Sequence, residues 1–263
     1  MSFGSFTTSQ IESFYMMEST YTPESFYEHA MSSARALAAT LDHTLLKADA
    51  TRAQVLQICE EAAQYRFACV MVNPFWVSTA AAALAGTGVP VGVVIGFPLG
   101  ASLAESKVDE AKRVIALGAH DVDMVLNIGA LKGGEYDTVA SDIRGVVDAA
   151  HERGAIVKVI LETALLNFEE KLRASEIAVN AGADFIKTST GFSTGGATVD
   201  DIAQMRSVAG LRSGVKASGG IRSLADAKAM LKAGANRIGA SASVRIVQEL
   251  TGTAKGDSGG SGY

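Results

Sequence analysis

The chain has 263 residues, 48% of them hydrophobic and 19% charged, with a formal net charge of -5 and an isoelectric point near 5.4. That length buries one sizeable core, as a single α/β barrel or as two smaller domains, and the acidic balance with no basic stripe excludes long-range attraction to nucleic acid or acidic membranes. Two cysteines, Cys59 and Cys69, are too few and too close in sequence for a disulfide framework and point to a reduced, cytoplasmic setting, while no apolar run reaches the ~18 residues of a membrane span.

Residues 1–36 read as an N-terminal extension, rich in Ser, Thr, Phe, Tyr and Met but without the basic start or apolar stretch of a signal peptide. A short docking helix around 23–35 is one expectation for it, and disorder is the other. From residue 37 short β-branched runs alternate with longer helical patterns. The strands are expected at 40–46, 68–73, 91–97, 122–128, 156–162, 185–189, 215–217 and 237–240. The helices are expected at 52–65, 76–84, 103–117, 136–153, 168–181, 199–208, 224–232 and 243–250. Three helix exits, at Gly118, Gly182 and Gly234, share a glycine that supplies a left-handed cap. Eight such units are best satisfied by a closed (β/α)8 TIM barrel, a single domain over 37–252. An open doubly wound sheet is the competitor, disfavoured because no Gly-x-Gly-x-x-Gly opens the first helix. Residues 253–263 are Gly- and Ser-rich and read as a flexible tail ending in Tyr263.

Two lysines fall inside runs that should be buried strand, Lys187 in Asp-Phe-Ile-Lys-Thr-Ser-Thr-Gly and Lys216 in Gly-Val-Lys-Ala-Ser-Gly-Gly. A buried ammonium is costly unless it is paired or loses its proton, and a neutral buried amine is a nucleophile. Two amines on adjacent strands are expected to depress each other's pKa. Alternation sorts the other polar residues. Asp121, Asp123 and Asn127 share a face of the fourth strand, Lys158 and Glu162 one of the fifth, and Asp42 and Thr44 one of the first. Counted as Asp42 and Asp123 against Lys158, Lys187 and Lys216, the inward set has a surplus amine, which favours covalent chemistry over a purely structural ion-pair network. The four histidines lack paired ligand spacing, so no metal is expected. His120 is placed ahead of its strand, and Asp121 beside it reads as a turn residue.

Glycine and hydroxyl residues crowd the loops after the last three strands, in Ser189-Thr-Gly, Ser193-Thr-Gly-Gly-Ala-Thr, Ser218-Gly-Gly and Gly239-Ala-Ser-Ala-Ser. Such loops present backbone N–H groups to an anion, and this end of a barrel is a favoured phosphate site. A phosphorylated carbonyl compound is the expected substrate. A phosphometabolite-binding barrel without catalysis remains the alternative.

The motifs Leu41-Asp-His-Thr-Leu-Leu, Val72-Asn-Pro, Ile95-Gly-Phe-Pro-Leu-Gly, Val122-Asp-Met-Val, Val157-Lys-Val-Ile-Leu-Glu-Thr, Asp184-Phe-Ile-Lys-Thr-Ser-Thr-Gly-Phe and Lys216-Ala-Ser-Gly-Gly-Ile-Arg together resemble the deoxyribose-phosphate aldolases, class I aldolases built on a (β/α)8 barrel. The resemblance implies that Lys187 forms the Schiff base, that Asp123 and Lys216 move protons, and that Lys158 and Asp42 support them. It implies phosphate contacts near Gly191, Gly219, Gly220, Gly239 and Ser241, a phosphorylated aldehyde substrate, no cofactor and a homodimer. Two positions depart from the pattern: Phe192 stands where some relatives carry lysine, and Met71 where many carry cysteine. Tyr263, on its tether, is either part of a disordered tail or a proton relay at the barrel mouth.

Overall fold

The computed structural model describes residues 22–254. Its strands are β1 (Leu41–Leu45), β2 (Cys69–Val72), β3 (Val91–Ile95), β4 (Ala119–Val125), β5 (Ile156–Ile160), β6 (Phe185–Lys187), β7 (Gly214–Ser218) and β8 (Arg237–Ala240). They close in sequence order into a barrel, with β8 returning to pair in parallel with β1. Alternation divides each strand. Val70, Val72, Val122, Met124, Val157, Val159, Ile186 and Val215 face outward into the core between barrel and helices, which leaves the interior to the residues of opposite parity.

The helices are α1 (Pro23–Met31), α2 (Ala34–Ala38), α3 (Arg52–Tyr65), α4 (Val77–Leu84), α5 (Ala104–Ala116), α6 (Ile128–Lys132), α7 (Tyr136–His151), α8 (Phe168–Asn180), α9 (Val199–Ala209), α10 (Leu224–Lys232) and α11 (Ser243–Thr251). Reciprocal capping boxes open α3, α8 and α10, at Thr51 with Gln54, Asn167 with Glu170 and Ser223 with Asp226. Gly118, Gly182 and Gly234 close their helices at positive φ, as the sequence pattern requires. The expected docking helix is two helices, broken at Ser32 and Ser33, with α1 packed on α10 and α2 on α11. Residues 1–21 and 255–263, including Tyr263, lie outside the described residues.

Most strand ends differ from expectation by one or two residues, β3 ending at Ile95 and not at 97, and β4, β5 and β6 differ for identifiable local reasons. β4 lies three residues earlier than 122–128, because Asn127 caps a short helix, its side chain accepting from the Ala130 amide, and α6 takes over the apolar residues that looked like strand. His120 is therefore inside β4, at its N-terminal end, not ahead of it. β5 stops before Glu162, which turns into a left-handed conformation at φ 56. β6 stops at Lys187 because Thr188 puts its own hydroxyl between the strands, donating to Ser218 O at 3.0 Å and accepting from Ser218 N at 3.1 Å. The hydroxyl stands in for the Thr188 carbonyl as acceptor at this end of the pair, while the Thr188 amide still donates to Lys216 O at 3.1 Å.

Candidate active site

The register carries the charged residues to one level of the barrel. Asp123 pairs with Lys158, Lys187 with Lys216, and Lys216 with Arg237, while Asp42 lies beside Cys69 and Gly239. Residues paired in register point the same way, so all of these enter the interior. Gly214 makes room for them: a Cβ there would sit 2.2 Å from the Phe185 ring.

Asp123 is the hub. Its Oδ2 accepts from Lys187 Nζ and from Lys216 Nζ, each at 2.8 Å, and its Oδ1 from Lys158 Nζ at 3.1 Å. Lys158 also donates to Asp121 at 2.5 Å. Asp42 lies 2.6 Å from Lys216 Nζ through Oδ2 and accepts from Arg237 through Oδ1 at 2.9 Å. Asp121 is therefore no turn residue but a buried member of β4 bound to Lys158, and Arg237 joins a network the sequence reading had left it out of. Both were legible by parity, Asp121 two residues before Asp123 and Arg237 two before Gly239. Asp42, Cys69 and Asp121 bring ligand-type atoms within 4.8 Å of one another. Their carboxylates are already held by Lys216, Arg237 and Lys158, which makes the cluster an ion-pair junction and not a metal centre.

The protonation pattern separates the lysines. Burial is the main cause lowering the Lys187 amine from 10.5 to about 8, with Lys216 and Lys158 adding to it and Asp123 opposing. Lys216 moves the other way. Burial opposes its charge, but Asp123 and Asp42 together raise it, so the expectation of mutual depression by two neighbouring amines fails for Lys216, which reaches two carboxylates where Lys187 reaches one. Lys158 is likewise raised against burial by Asp121, Asp123 and Asp42. Burial would raise Asp123, yet Lys158, Lys187 and Lys216 hold it well below the usual carboxylate range. Asp42, although burial opposes it, is brought down to about 2 by Lys216, Arg237 and Lys158. The interior thus holds fixed carboxylates, two persistent ammoniums, a guanidinium, and one amine poised to lose its proton.

That amine opens on the C-terminal end. Lys187 lines a cavity of about 280 Å³ whose wall includes Thr44, Ser218 and the loop residues Gly191, Gly219, Gly220, Gly239 and Ser241. All five positions expected around a phosphate are brought together there. Arg222, which had been noted only as the end of a motif, also lines it, as do Ser193 and Thr194. The β6 loop folds onto the β7 loop through Ala197 N donating to Gly219 O at 3.1 Å, and α11 begins immediately after Ser241, turning its positive end toward this region. Glu162 does not join the lysines. It accepts from the Thr190 amide at 3.2 Å and from the Thr190 hydroxyl, fixing the start of the β6 loop. The Ser189 and Ser218 hydroxyls are buried without a hydrogen-bond partner, leaving polar capacity beside the amine. Phe192 packs edge-to-face on Phe97 at 5.3 Å, and Met71 is fully buried on the inner face of β2.

Comparison with known proteins places these features. Residues 36–256 match the model of the DeoC/LacD family aldolase. Deoxyribose-phosphate aldolase of Geobacillus sp. (strain WCH70) is 59% identical over 215 residues, which is 82% of this chain and 96% of that protein. The enzyme of the same name from Shouchella clausii is 60% identical over 218 residues, 82% of this chain and 97% of its own. Among solved structures, a putative deoxyribose-phosphate aldolase from Coccidioides immitis superposes with a TM-score of 0.81 at 39% identity, covering 89% of this chain and 99% of that one. A tetrameric deoxyribose phosphate aldolase from Aeropyrum pernix gives a TM-score of 0.81 at 34% identity, covering 87% and 97%.

Proposed function

The chain belongs to the DeoC/LacD family of aldolases, and from that premise we infer that it is a lyase that reversibly cleaves 2-deoxy-D-ribose 5-phosphate into acetaldehyde and D-glyceraldehyde 3-phosphate through a lysine Schiff base. The observation that carries this reading is a single buried amine, Lys187, lowered to about 8 at the floor of a glycine-lined cavity.

In the cleavage direction the neutral Nζ of Lys187 attacks C1 of the open-chain sugar, and loss of water from the carbinolamine leaves an iminium. The C2–C3 bond then breaks, its electron pair passing to the iminium to give an enamine as the C3 hydroxyl yields its proton. Protonation at C2 and hydrolysis release acetaldehyde. Lys216, charged and held between Asp42 and Asp123, is suited to donate a proton at C1 oxygen. Asp123, ionised at rest, is suited to accept one. Lys158 and Asp42 hold these two in place. The phosphate is assigned to the N–H groups around Gly191, Gly219, Gly220 and Gly239, with Ser241 and Arg222. No cofactor enters this scheme, since the protonated imine itself is the electron sink.

The reading extends to a cytoplasmic homodimer. No helix among the described residues is long and apolar enough to cross a membrane, and both cysteines of the chain are buried as free thiols. Light scattering would distinguish a dimer from the tetramer named for the Aeropyrum relative. The activity itself is tested by following glyceraldehyde 3-phosphate and acetaldehyde released from 2-deoxyribose 5-phosphate. Equimolar release supports the reading, and no release from folded protein sinks it.

A further inference from the structure

The charged interior is not balanced. Facing Lys187 are Lys158 from β5, Lys216 from β7, Asp121 and Asp123 from β4, Asp42 from β1 and Arg237 from β8; β2 adds the thiol of Cys69, and β3 adds only Gly92 and Val94. Glu162, past the end of β5, is turned to Thr190 and makes no ion pair with the lysines. A separate buried pair, Lys107 with Asp142, joins α5 to α7, with Lys107 also donating to Val125 O, and makes no ion pair with these groups. Three carboxylates therefore meet four groups that can be cationic.

One of the four is nearest to giving up its proton. A guanidinium does not do so in a protein. Lys158 contacts Asp121 and Asp123, and Lys216 contacts Asp42 and Asp123. Lys187 has a single carboxylate oxygen, which it shares with Lys216, and it alone of the three lysines lines the cavity. Arg237 is the first residue of β8, does not line the cavity, and has a side chain 18% exposed. It takes Asp42 Oδ1, and its guanidinium lies 5.6 Å from the Phe185 ring centroid, with Lys158 Nζ at 5.9 Å from the same ring.

We propose that Arg237 is a positioning residue for the Schiff-base lysine: by neutralising Asp42 from beneath, it leaves the network one cation in excess, and that excess is discharged when Lys187 is neutral. Without the Arg237 charge, three carboxylates would balance three ammoniums. Lys216 would then be drawn to Asp42, and Asp123 would need the Lys187 proton. Arg237 does not line the cavity, and its hydrogen bond and ion pair are to Asp42, so its effect passes through the carboxylates that hold Lys216. The inference rests on the aldolase reading of Lys187.

The test compares Arg237→Gln, which keeps a donor for Asp42 and removes the charge, with Arg237→Lys, which keeps the charge. The readouts are the acid limb of kcat/KM for 2-deoxyribose 5-phosphate and a direct NMR titration of the Lys187 amine, which needs no turnover. In Arg237→Gln the limb and the titration are expected to move up by about one pH unit, a tenfold loss of neutral amine below the limb, with the alkaline plateau retained. In Arg237→Lys neither moves. A folded Arg237→Gln whose limb stays in place, or whose kcat/KM falls equally at every pH, overturns the inference. Should that variant not fold, Asp42→Asn decides: removing a carboxylate enlarges the excess, so the Lys187 titration must move down, and a shift upward or none overturns the proposal. Reductive trapping of acetaldehyde on the parent separates the two readings. No adduct on Lys187 there would remove the aldolase mechanism, while the titration would still report on Arg237.

Discussion

Replacing Lys216 by leucine tests how much of the Lys187 pKa depression comes from a neighbouring charge. Both amines bind the same Asp123 oxygen at 2.8 Å, which sets the nitrogens within about 6 Å of each other. Two unit charges ~5 Å apart in an effective dielectric of about 20 repel by about 3 kcal/mol, or about two pH units in the titration of either. Burial is the larger cause of the depression and survives the substitution. The assay is the rate of reductive trapping of acetaldehyde as a function of pH, because it reports attack by Lys187 without the later proton transfers that Lys216 is suited to make. The parent limb is expected near 8, and the limb of Lys216→Leu about two pH units higher. A variant limb that stays near 8 would remove the Lys216 charge from the causes of the depression and refute the electrostatic part of the reasoning.

The network also predicts a trade of stability against function. Lys187 is lowered in the folded state to about 8 from 10.5, so the unfolded chain binds more protons between those values, and stability rises with pH across that window and is fully impaired below 8. Lys187→Met removes the impairment and leaves three carboxylates facing three cations. It is expected to be more stable than the parent by about 3 kcal/mol at pH 7, the gain shrinking toward pH 10.5, and a lower melting temperature at pH 7 would contradict this. At Gly196 a Cβ would lie 2.3 Å from Gly219 O, so Gly196→Ala must part the two loops that line the cavity; KM for the phosphorylated sugar should rise about tenfold with kcat little changed, whereas loss of kcat alone would count against a phosphate site there. Both cysteines are held as thiols by burial, Cys59 at about 11 and Cys69 well above its ordinary value, and Met71 has no nucleophilic thiol. Prolonged acetaldehyde exposure should therefore inactivate Met71→Cys faster than the parent, and equal rates would refute the idea.

Periodicity was enough for the barrel, because eight outward-facing apolar stripes alternating with eight helical patterns admit few other closures. Boundaries were lost where a side chain replaced the backbone as partner. Thr188 ends β6 with its hydroxyl and Asn127 opens α6 with its amide, and neither event leaves a mark in hydropathy. The inward lysines were legible from strand parity. Their protonation was not, since it depends on which carboxylate each one reaches: Lys216 reaches two, and Lys187 shares one oxygen. Asp121 carried the same parity signal as Asp123 but lay ahead of a strand expected to begin at residue 122, whereas Arg237 lay inside the expected strand 237–240 and its charge was left out of the inward count. Arg222 sits in a loop, where alternation has no meaning, and only the fold brings it to the cavity.

The central claim is that the Lys187 amine forms the covalent link to substrate. Acetaldehyde and borohydride added to the parent, followed by peptide mapping, should place one ethyl group on Lys187 and none on Lys158 or Lys216. Lys187→Leu should remain unmodified at the active site. An adduct on Lys216 in the parent, or an unmodified Lys187 in folded and active protein, would contradict the account.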